Sequence, residues 1–185
     1  MIDAHAPTFD VSTSHVVSVD AAPAAVLAGL DDLALAQPVA RTIALFGASE
    51  RFALEPSALE PATGPERIYG LAWSIDGATA PVPAGELHAL EAPGHIKVVW
   101  DIRVKGDADT GTYVSSTTRF VATDPTARHR LLSAWRVLGP MSADLARRGL
   151  ASIKRAAEGA GEPVVYGAVS GFPAVGPPNA LPRAA

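Results

Sequence analysis

The sequence has no cysteine among its 185 residues, and charged residues make up only 18% of the chain. The lack of cysteine excludes disulfides, thiolate zinc sites, iron–sulfur clusters and cysteine nucleophiles. Basic residues are also scarce, because 15 Lys and Arg stand against 19 Asp and Glu, a formal net charge of −4. Such a chain lacks a broad positive field to hold phosphates, so we expect no nucleic-acid partner.

Signals for secretion and membrane insertion are missing as well. Residues 1–7 contain no basic stretch followed by an apolar one, so we expect a cytoplasmic protein. The longest uncharged segment, residues 163–182, contains five prolines and three glycines. A helix there could not satisfy its backbone hydrogen bonds in lipid, so we expect no membrane span.

The chain does have enough apolar sequence for one domain. Hydrophobic residues make up 48% of it, and its length suits one core rather than two. Helix-favouring sequence stops near residue 159, after which Pro, Gly and Ala dominate. We therefore predict an N-terminal extension at 1–12, a single domain at 13–158 and a C-terminal tail at 159–185.

The first part of the domain is predicted to form one strand followed by two short helices. The β-branched run 15–19 is typical of a strand. Pro23 suits a first helical position, and apolar residues recur at helical spacing after it. A second helix is predicted over 38–46, because Gly47 is a typical residue at a helix end.

Strands dominate the middle of the chain. The predicted strands are residues 67–75, 86–90, 95–104 and 112–121. The second and third of them flank Ala92-Pro93-Gly94 and are predicted to form a hairpin. The third strand alternates apolar residues with polar ones such as His95 and Asp101. This alternation predicts an antiparallel sheet with one buried face and one face in solvent.

The last element of the domain is predicted to be a long helix. Asp124 is a typical N-cap, Pro125 suits the first turn, and apolar residues keep a helical period to Glu158. Gly139 and Pro140 interrupt this period, because a proline ring clashes with the preceding turn. The sequence therefore predicts either one long helix with a kink at this point or two helices in line.

Several segments resemble the START-like superfamily, which includes polyketide cyclases, lipid-transfer domains and the birch-pollen-allergen group. Residues 15–26 are similar to the opening strand and first helix of that superfamily. The segments similar to a bacterial branch of it are 92–100, 116–120, Asp124 with Arg128, and Trp135 with Pro140. The resemblance implies an α+β helix-grip fold, in which a curved antiparallel sheet wraps around a long, kinked C-terminal helix. It also implies an apolar cavity between sheet and helix, whose ligands are mostly hydrophobic.

Aromatic and hydroxyl side chains on the predicted strands are the candidates for lining such a cavity. On one strand register, Ser116 and Thr118 share a face with Val98 and Trp100, which places two hydroxyls inside apolar walls. The aromatic residues either line a cavity or simply fill the core, and both alternatives stay open. The predicted ligand-binding residues are Tyr69, Leu71, Trp73, Val98, Trp100, Val114, Ser116, Thr118, Phe120, Trp135, Met141 and Leu145.

His88 is a weak catalytic candidate, because the register of its strand decides which way it points. In one register, His88 and Glu86 point into the cavity and form an acid–base pair. In the alternative register, which buries Leu87, both side chains face water. Leu87 is the more natural core residue, since ionisable side chains are costly to bury.

No sequence motif indicates a metal, a cofactor or a nucleophile. The five histidines include no pair at i, i+2 or i, i+4 spacing. Neither a glycine-rich phosphate loop nor a nucleophile elbow is present. We therefore expect no cofactor and no metal.

Three functions are compatible with these patterns. The first is binding of a small hydrophobic molecule, polyketide-, lipid- or terpenoid-like, in an apolar cavity. The second is a cyclase or dehydratase in which a cavity pair such as His88 and Glu86 moves protons. The third is a protein-interaction module whose cavity is filled. An open apolar cavity favours the first function, an inward His–Glu pair the second, and a closed, dry core the third.

Overall fold

A computed structural model describes residues 2–32, 57–58, 64–75, 86–107 and 111–159 of the chain. The helices formed by these residues are α1 (Ile2–His5), α2 (Pro23–Asp32) and α3 (Pro125–Ala157). The strands are β1 (Val11–Val19), β2 (Ser57–Ala58), β3 (Glu66–Ser74), β4 (His95–Asp107) and β5 (Gly111–Ala122). The predicted second helix at 38–46 and residues 160–185 of the predicted tail lie outside the described residues.

The strands form an antiparallel sheet in the order β1-β5-β4-β3-β2. β4 and β5 form a hairpin, and β1 pairs along its whole length with β5, placing Val11 opposite Phe120. β3 pairs with the other edge of β4, placing Tyr69 opposite Trp100. These registers decide which residues share a face of the sheet, because side chains two residues apart on a strand point the same way.

Helix α3 packs along one face of the sheet, which we call the inner face. It begins at its N-cap Asp124, whose Oδ1 accepts hydrogen bonds from the backbone N–H groups of Thr126 and Ala127, at 2.7 and 3.0 Å. It then continues as one helix through Pro140, so the alternative of two helices in line is wrong. Because proline has no backbone N–H, Pro140 removes one hydrogen bond from the helix backbone, but the helix continues past it. The predicted α+β helix-grip fold, an antiparallel sheet with a long C-terminal helix on one face, is confirmed.

Polar contacts tie both ends of α3 to the ends of β1. Near the start of the helix, Arg128 Nε lies 2.7 Å from Oδ1 of Asp10, the residue before β1. Just after its end, Glu158 Oε1 accepts a hydrogen bond from the backbone N–H of Asp20, the residue after β1, at 2.6 Å. The helix therefore runs along β1 from one end of the strand to the other.

The opposite face of the sheet, which we call the outer face, is also buried where β3 and β4 run. A cluster on this face is formed by Ile2, Ala6, Ile68, Ala72, Leu87 and Val99. His95 and Asp101 are only 9% and 1% exposed, so the predicted solvent-facing surface is wrong at these positions. Alternation along a strand could not show this, because a second segment of chain covers the face. The described part of the predicted extension 1–12 packs against the sheet or belongs to β1.

Asp101 is a charged residue buried on the outer face. Its Oδ1 accepts a hydrogen bond from the backbone N–H of Thr117 at 3.0 Å, and Arg103 Nη2 lies 2.8 Å from its Oδ2. Burial raises the pKa of Asp101, against the opposing effect of the Arg103 charge. Glu66 Oε1 lies 2.9 Å from Arg103 Nε and extends the network. The outer face therefore holds a set of paired charges next to its apolar residues.

The predicted strand over 86–90 is wrong, because the chain turns there instead. Leu87 is buried in the outer-face cluster, whereas its neighbours Glu86 and His88 are exposed. β3 and β5 already occupy the two edges of β4, so β4 has no free edge for a further hairpin partner.

Candidate functional site

Two apolar clusters lie between the inner face of the sheet and α3. The first cluster, near the start of α3, is formed by Val11, Leu71, Trp73, Ile96, Val98, Trp100, Phe120, Ala127 and Leu131. The second cluster, near the end of α3, is formed by Val19, Val26, Leu30, Ile102, Val104, Val114, Leu150 and Ile153. Each cluster joins strand residues to helix residues, so together they hold α3 on the sheet.

Between the two clusters, polar side chains replace apolar ones on β1 and β5. Thr13 lies opposite Thr118, and His15 lies opposite Ser116. On both strands, the residues two positions before and after this segment belong to the clusters or pack against them. Side chains two residues apart share a face, so all four polar residues belong to the inner face. We call Thr13, His15, Ser116 and Thr118 the polar band.

The fully buried residues of helix α3 between the two clusters are small. They are Gly139, Ser142 and Gly149. The indole of Trp135 lies against Gly139 so closely that a Cβ at residue 139 would be 2.9 Å from its Nε1. The part of α3 between the clusters therefore contributes small buried residues to the interior.

Two buried polar atoms on the inner face have no hydrogen-bond partner among the described residues. One is Nε1 of Trp100, a side chain that is 0% exposed, and the other is Nε2 of His15. His15 is itself a member of the polar band, where it lies opposite Ser116. Trp100 lies opposite Thr118, so it is the neighbour of the band on β4. Buried polar groups in folded proteins are nearly always hydrogen-bonded, so these two atoms indicate a place where a partner is missing.

The surroundings of His15 favour its uncharged form. Its pKa is lowered from the ordinary 6.5, mainly by burial and then by the positive charge of Arg147 on α3. A neutral imidazole has one protonated nitrogen, so His15 Nε2 either donates or accepts a hydrogen bond. Trp100 Nε1 can only donate. The inner face thus offers one fixed donor and one adaptable group.

Arg67 adds a cation at the β3 side of the inner face. It lies opposite Ile102 and is 8% exposed. Its Nη1 donates hydrogen bonds to the backbone carbonyls of Gly64 at 2.5 Å and Glu66 at 3.3 Å. These carbonyls fix the position of the guanidinium, so its positive charge is held in the row that contains His15 and Ser116.

The structure brings most of the predicted ligand-binding residues to the inner face. Ser116 and Thr118 belong to the polar band, and Val114 belongs to the second cluster. Leu145 is half-buried on α3. The residues that belong to the first cluster or pack against it are Tyr69, Leu71, Trp73, Val98, Trp100, Phe120 and Trp135. Their contact with a ligand stays a prediction.

Three predicted site residues lie away from the inner face. Met141 is 36% exposed, because the side of α3 that is buried passes through its neighbour Ser142. Glu86 and His88 are exposed in the turn before β4, where Leu87 takes the buried position between them. The alternative in which His88 and Glu86 form an inward acid–base pair is therefore wrong, and the alternative that buries Leu87 and leaves both side chains in water is the one that the structure has.

Sequence reasoning missed Thr13, His15 and Arg67 as site residues. The predicted first strand begins at His15, whereas β1 begins at Val11. Over the full strand, His15 keeps the same period-2 alternation as the buried Val11 and Val19, and this pattern is the signal that could have identified it. Arg67 has no such signal, because a charged residue near a strand end is usually exposed.

Together these features define a class, an α+β helix-grip domain whose inner face combines aromatic residues with a polar band. No family model and no curated protein matches the sequence. Among solved structures, the chain is similar to the Zhui aromatase/cyclase from Streptomyces sp. R1128. Sequence identity is 18%, the match covers 78% of this chain and 94% of that chain, and the TM-score is 0.32. Since so distant a likeness carries no argument about function, the site itself must supply one.

Two further findings concern metals and membranes. Within the described ranges, no group of three or more His, Asp or Glu side chains is arranged to hold a metal ion. In the same part of the chain, no helix is both long enough and apolar enough to cross a membrane.

Proposed function

We propose that the protein binds a small hydrophobic molecule between the sheet and α3, at the polar band. The observation that carries the proposal is the pair of buried atoms without partners, Trp100 Nε1 and His15 Nε2. Leaving a buried polar group unpaired costs about 1–3 kcal/mol. A bound molecule that supplies the missing partners removes this cost, and the protein surrounds it with apolar side chains.

Aromatic side chains beside the two atoms support a ligand that is largely apolar. Tyr69 and Trp100 stack with ring centroids 5.4 Å apart. Phe120 and Trp135 pack with centroids 5.0 Å apart and ring planes tilted by 57°. Apolar walls with a few convergent polar groups are typical of small-molecule sites. Polyketide-, lipid- and terpenoid-like molecules all meet this description.

Binding is favoured over a cyclase- or dehydratase-type reaction. General acid–base catalysis needs a suitably placed acid or base, and the candidate pair of His88 and Glu86 is exposed in a turn. Among the described residues, the charge that acts on His15 is that of Arg147, a cation, rather than a carboxylate. His15 can orient a ligand in these surroundings, but no carboxylate supports it as a base.

The same unpartnered atoms argue against a protein-interaction module with a filled interior. A core filled by its own side chains pairs its buried polar groups, because an unpaired group in a low dielectric is costly. Tyr69 and Trp135 pack against the first cluster and are only half-buried, so this part of the inner face is not fully enclosed.

The proposal is tested with N-phenyl-1-naphthylamine, a fluorescent apolar probe, and two variants of β5. Ser116→Phe fills the inner face at the polar band, whereas Ser115→Phe places the same ring on the outer face of the same strand. We expect wild type and Ser115→Phe to bind the probe saturably. Ser116→Phe should bind it at least about tenfold more weakly, because its ring occupies the site.

Thermal unfolding distinguishes occupied space from a damaged fold. In an open interior, Ser116→Phe lowers Tm no more than Ser115→Phe does, whereas in a filled interior the added ring destabilises by about 1–3 kcal/mol. Failure of wild type to bind the probe contradicts the proposal, as does retention of binding by Ser116→Phe. Native mass spectrometry of freshly purified protein then identifies any hydrophobic compound that accompanies it.

A further inference from the structure

We propose that the outer face of the sheet is a peptide-binding surface, which the chain's own residues 2–9 cover. We call residues 2–9 the N-terminal segment. The partner that this surface fits is a short stretch of another protein with the same chemistry, an apolar residue followed directly by an acidic one. The proposal goes beyond the binding of a small molecule, because this surface lies across the sheet from the polar band.

The apolar part of the surface receives two side chains of the N-terminal segment. Ile2 and Ala6 are 3% and 2% exposed, and the Ala6 N–H donates a hydrogen bond to the Ile2 carbonyl at 2.9 Å. Residues four apart on a helical turn share a face, so both side chains point to the sheet. The residues that receive them come from β3, the turn before β4, and β4 itself: Ile68, Ala72, Leu87 and Val99.

Arg119 contacts the N-terminal segment at three points. It lies opposite Val99, beside the apolar part of the surface. Its Nη2 lies 2.8 Å from Asp3 Oδ1, and its Nη1 donates a hydrogen bond to the Ala6 carbonyl at 2.6 Å. Its guanidinium also lies over the ring of Phe9, 4.7 Å from the ring centroid. A carboxylate, a carbonyl and an aromatic ring held by one cation at fixed spacing define a sequence pattern, not a general attraction between charges.

A second cation favours an acidic residue at the position of Asp3. The pKa of Asp3 is lowered, mainly by its hydrogen bond from Arg119 and by the charge of Arg119, and further by the charge of Arg103. Both arginines therefore act on the same carboxylate. A partner with a neutral residue at this position would lose this interaction.

The N-terminal segment is held weakly enough to be displaced. α1 has only four residues, too few to be stable alone, so its position depends on its contacts with the sheet. The side chain of Asp3 is 63% exposed, and exposed ion pairs contribute little. Burial of Ile2 favours the docked position by about tenfold to a hundredfold.

The residue that follows the segment is fixed more firmly. The backbone N–H of Asp10 donates a hydrogen bond to the Phe120 carbonyl at 2.9 Å, and its Oδ2 accepts one from the Ala122 N–H at 2.8 Å. These contacts continue the pairing of β1 with β5. Residues 2–9 can therefore leave the outer face while β1 stays in the sheet.

A partner protein is a better occupant than a second copy of the chain. Exchange of segments between two copies replaces each contact with an identical one, so it offers nothing to offset the cost of association. The chain's own segment also leaves Nε of Arg119 buried without a hydrogen-bond partner among the described residues. A carboxylate that pairs with both Nε and Nη2 makes a stronger, bidentate contact. A partner segment with this geometry displaces the chain's own.

A fluorescent peptide with the sequence of residues 1–9 tests the proposal on the full-length chain. In wild type the docked segment competes with the peptide, so we expect weak binding. Ile2→Asp removes the main apolar contact of the competing segment and should bind the peptide at least about tenfold more tightly in fluorescence anisotropy. Ala4→Asp changes an exposed residue of α1 in the same way and should bind it as weakly as wild type.

Further variants, measured with the Ile2→Asp chain, identify the contacts. A peptide with Asp3→Asn should bind about tenfold more weakly, because its amide has no charge for Arg119. Adding Arg119→Gln to the chain should abolish the difference between the two peptides. This difference is the readout because a general loss of structure weakens both peptides alike. Adding Lys105→Gln removes an exposed cation from the same face of β4 and should leave the difference unchanged.

Several outcomes would overturn the proposal. They are no saturable binding of the peptide to Ile2→Asp, equal binding to wild type and Ile2→Asp, and a preference for Asp3 that survives Arg119→Gln. Sedimentation tests the other occupant, since dimers formed by wild type but not by Ile2→Asp would show exchange between copies and overturn the assignment to a partner. The peptide should leave the affinity for N-phenyl-1-naphthylamine unchanged, so failure of either proposal is seen separately.

Discussion

At the scale of single residues, His15 connects the fold to the proposed ligand. β1 places its imidazole on the inner face, and burial beside α3 together with the charge of Arg147 disfavours its protonated form. In the uncharged form, its Nε2 can donate or accept a hydrogen bond. The same burial makes the stability of the protein depend on pH.

We expect the pKa of His15, followed by the NMR shift of its ring protons, to lie below 6.5. Because the folded-state pKa is lowered, the unfolded chain binds the proton more readily. The stability contributed by His15 is therefore present above about pH 6.5 and is lost as the pH falls through the folded-state pKa. His15→Phe removes this group, so Tm should fall less in this variant than in wild type on going from about pH 7 to about pH 5.

His129→Phe is the matched control, because His129 is exposed on α3. It should keep the wild-type fall of Tm with pH. The same fall in His15→Phe as in wild type would contradict the assignment of this pH dependence to His15.

The inward residues could be predicted where alternation along a strand is regular. The face shared by Trp100, Ser116 and Thr118 is of this kind, because pairing of β4 with β5 follows from a short connection. The outward direction of His88 could be predicted from the apolar character of Leu87, but not from a hairpin register, because residues 86–90 form a turn rather than a strand. The burial of Asp101 could not be predicted, because the covering chain comes from elsewhere in the sequence.

At the scale of elements, Asp124 joins the start of α3 to the start of β4. Its Oδ1 caps the helix, and its Oδ2 accepts a hydrogen bond from the backbone N–H of Gly94. The bond from Gly94 is the main reason that the pKa of Asp124 is lowered, followed by the bond from Ala127. Asp124→Ala should lower Tm by several degrees, because three N–H groups lose their acceptor.

The effect of Asp124 should depend on pH with a definite sign. Since the folded-state pKa is lowered, its contribution is present above pH 3.8 and is lost as the pH falls through the folded-state pKa. The Tm difference between wild type and Asp124→Ala should therefore shrink in acid. Asp124→Asn keeps one acceptor oxygen and should lose less Tm at neutral pH; a Tm loss equal to that of Asp124→Ala would show that capping is not the cause.

Gly139 offers a second prediction about α3, because its lack of a side chain allows the Trp135 indole to lie against the helix. A Cβ at residue 139 would lie 2.9 Å from Trp135 Nε1, so Gly139→Ala should displace the indole from Phe120. Gly29→Ala in α2 is the control, since its Cβ would meet Ala156 at an ordinary 3.9 Å. Gly29→Ala should stabilise by about 0.5–1 kcal/mol through helix propensity, and Gly139→Ala should gain less or lose stability.

Tryptophan fluorescence and urea unfolding check the two glycine variants. The emission spectrum should change in Gly139→Ala and stay constant in Gly29→Ala. An equal gain in stability from both variants, with unchanged spectra, would mean that Trp135 does not depend on Gly139.

The elements themselves could be predicted where the signals are local. Asp124, Pro125 and the helical period after them predict α3, and its continuation through Pro140 shows that packing outweighs one lost hydrogen bond. The segment 86–90 was not predictable in this way. Its β-like sequence forms a turn because both edges of β4 are already paired.

At the scale of the whole molecule, the helix that precedes the first strand and the helix that follows the last strand cover opposite faces of the sheet. α3 covers the inner face, and the N-terminal segment contributes Ile2 and Ala6 to the outer-face cluster. Arg119 holds this segment in place, because its Nη2 lies 2.8 Å from Asp3 Oδ1 and its Nη1 donates to the Ala6 carbonyl at 2.6 Å. The general α+β architecture could be predicted from the order of the elements. The N-terminal cover could not, because a four-residue helix has no recognisable periodicity.

If the N-terminal segment stabilises the outer face independently of the proposed ligand site on the inner face, the same substitution should have different effects at Ile2 and at Ala4. Ile2 is buried in the outer-face cluster and Ala4 is exposed on the same helix. Ile2→Asp should lose about 2–3 kcal/mol in urea unfolding, because it removes apolar burial and brings a charge to an apolar surface, whereas Ala4→Asp should lose little. Both variants should keep the affinity of wild type for N-phenyl-1-naphthylamine, since the probe site lies across the sheet. Equal stability losses in the two variants would contradict a stabilising role of the N-terminal segment on the outer face. Loss of probe affinity in Ile2→Asp alone, at a temperature where this variant stays folded, would show that the two faces are coupled.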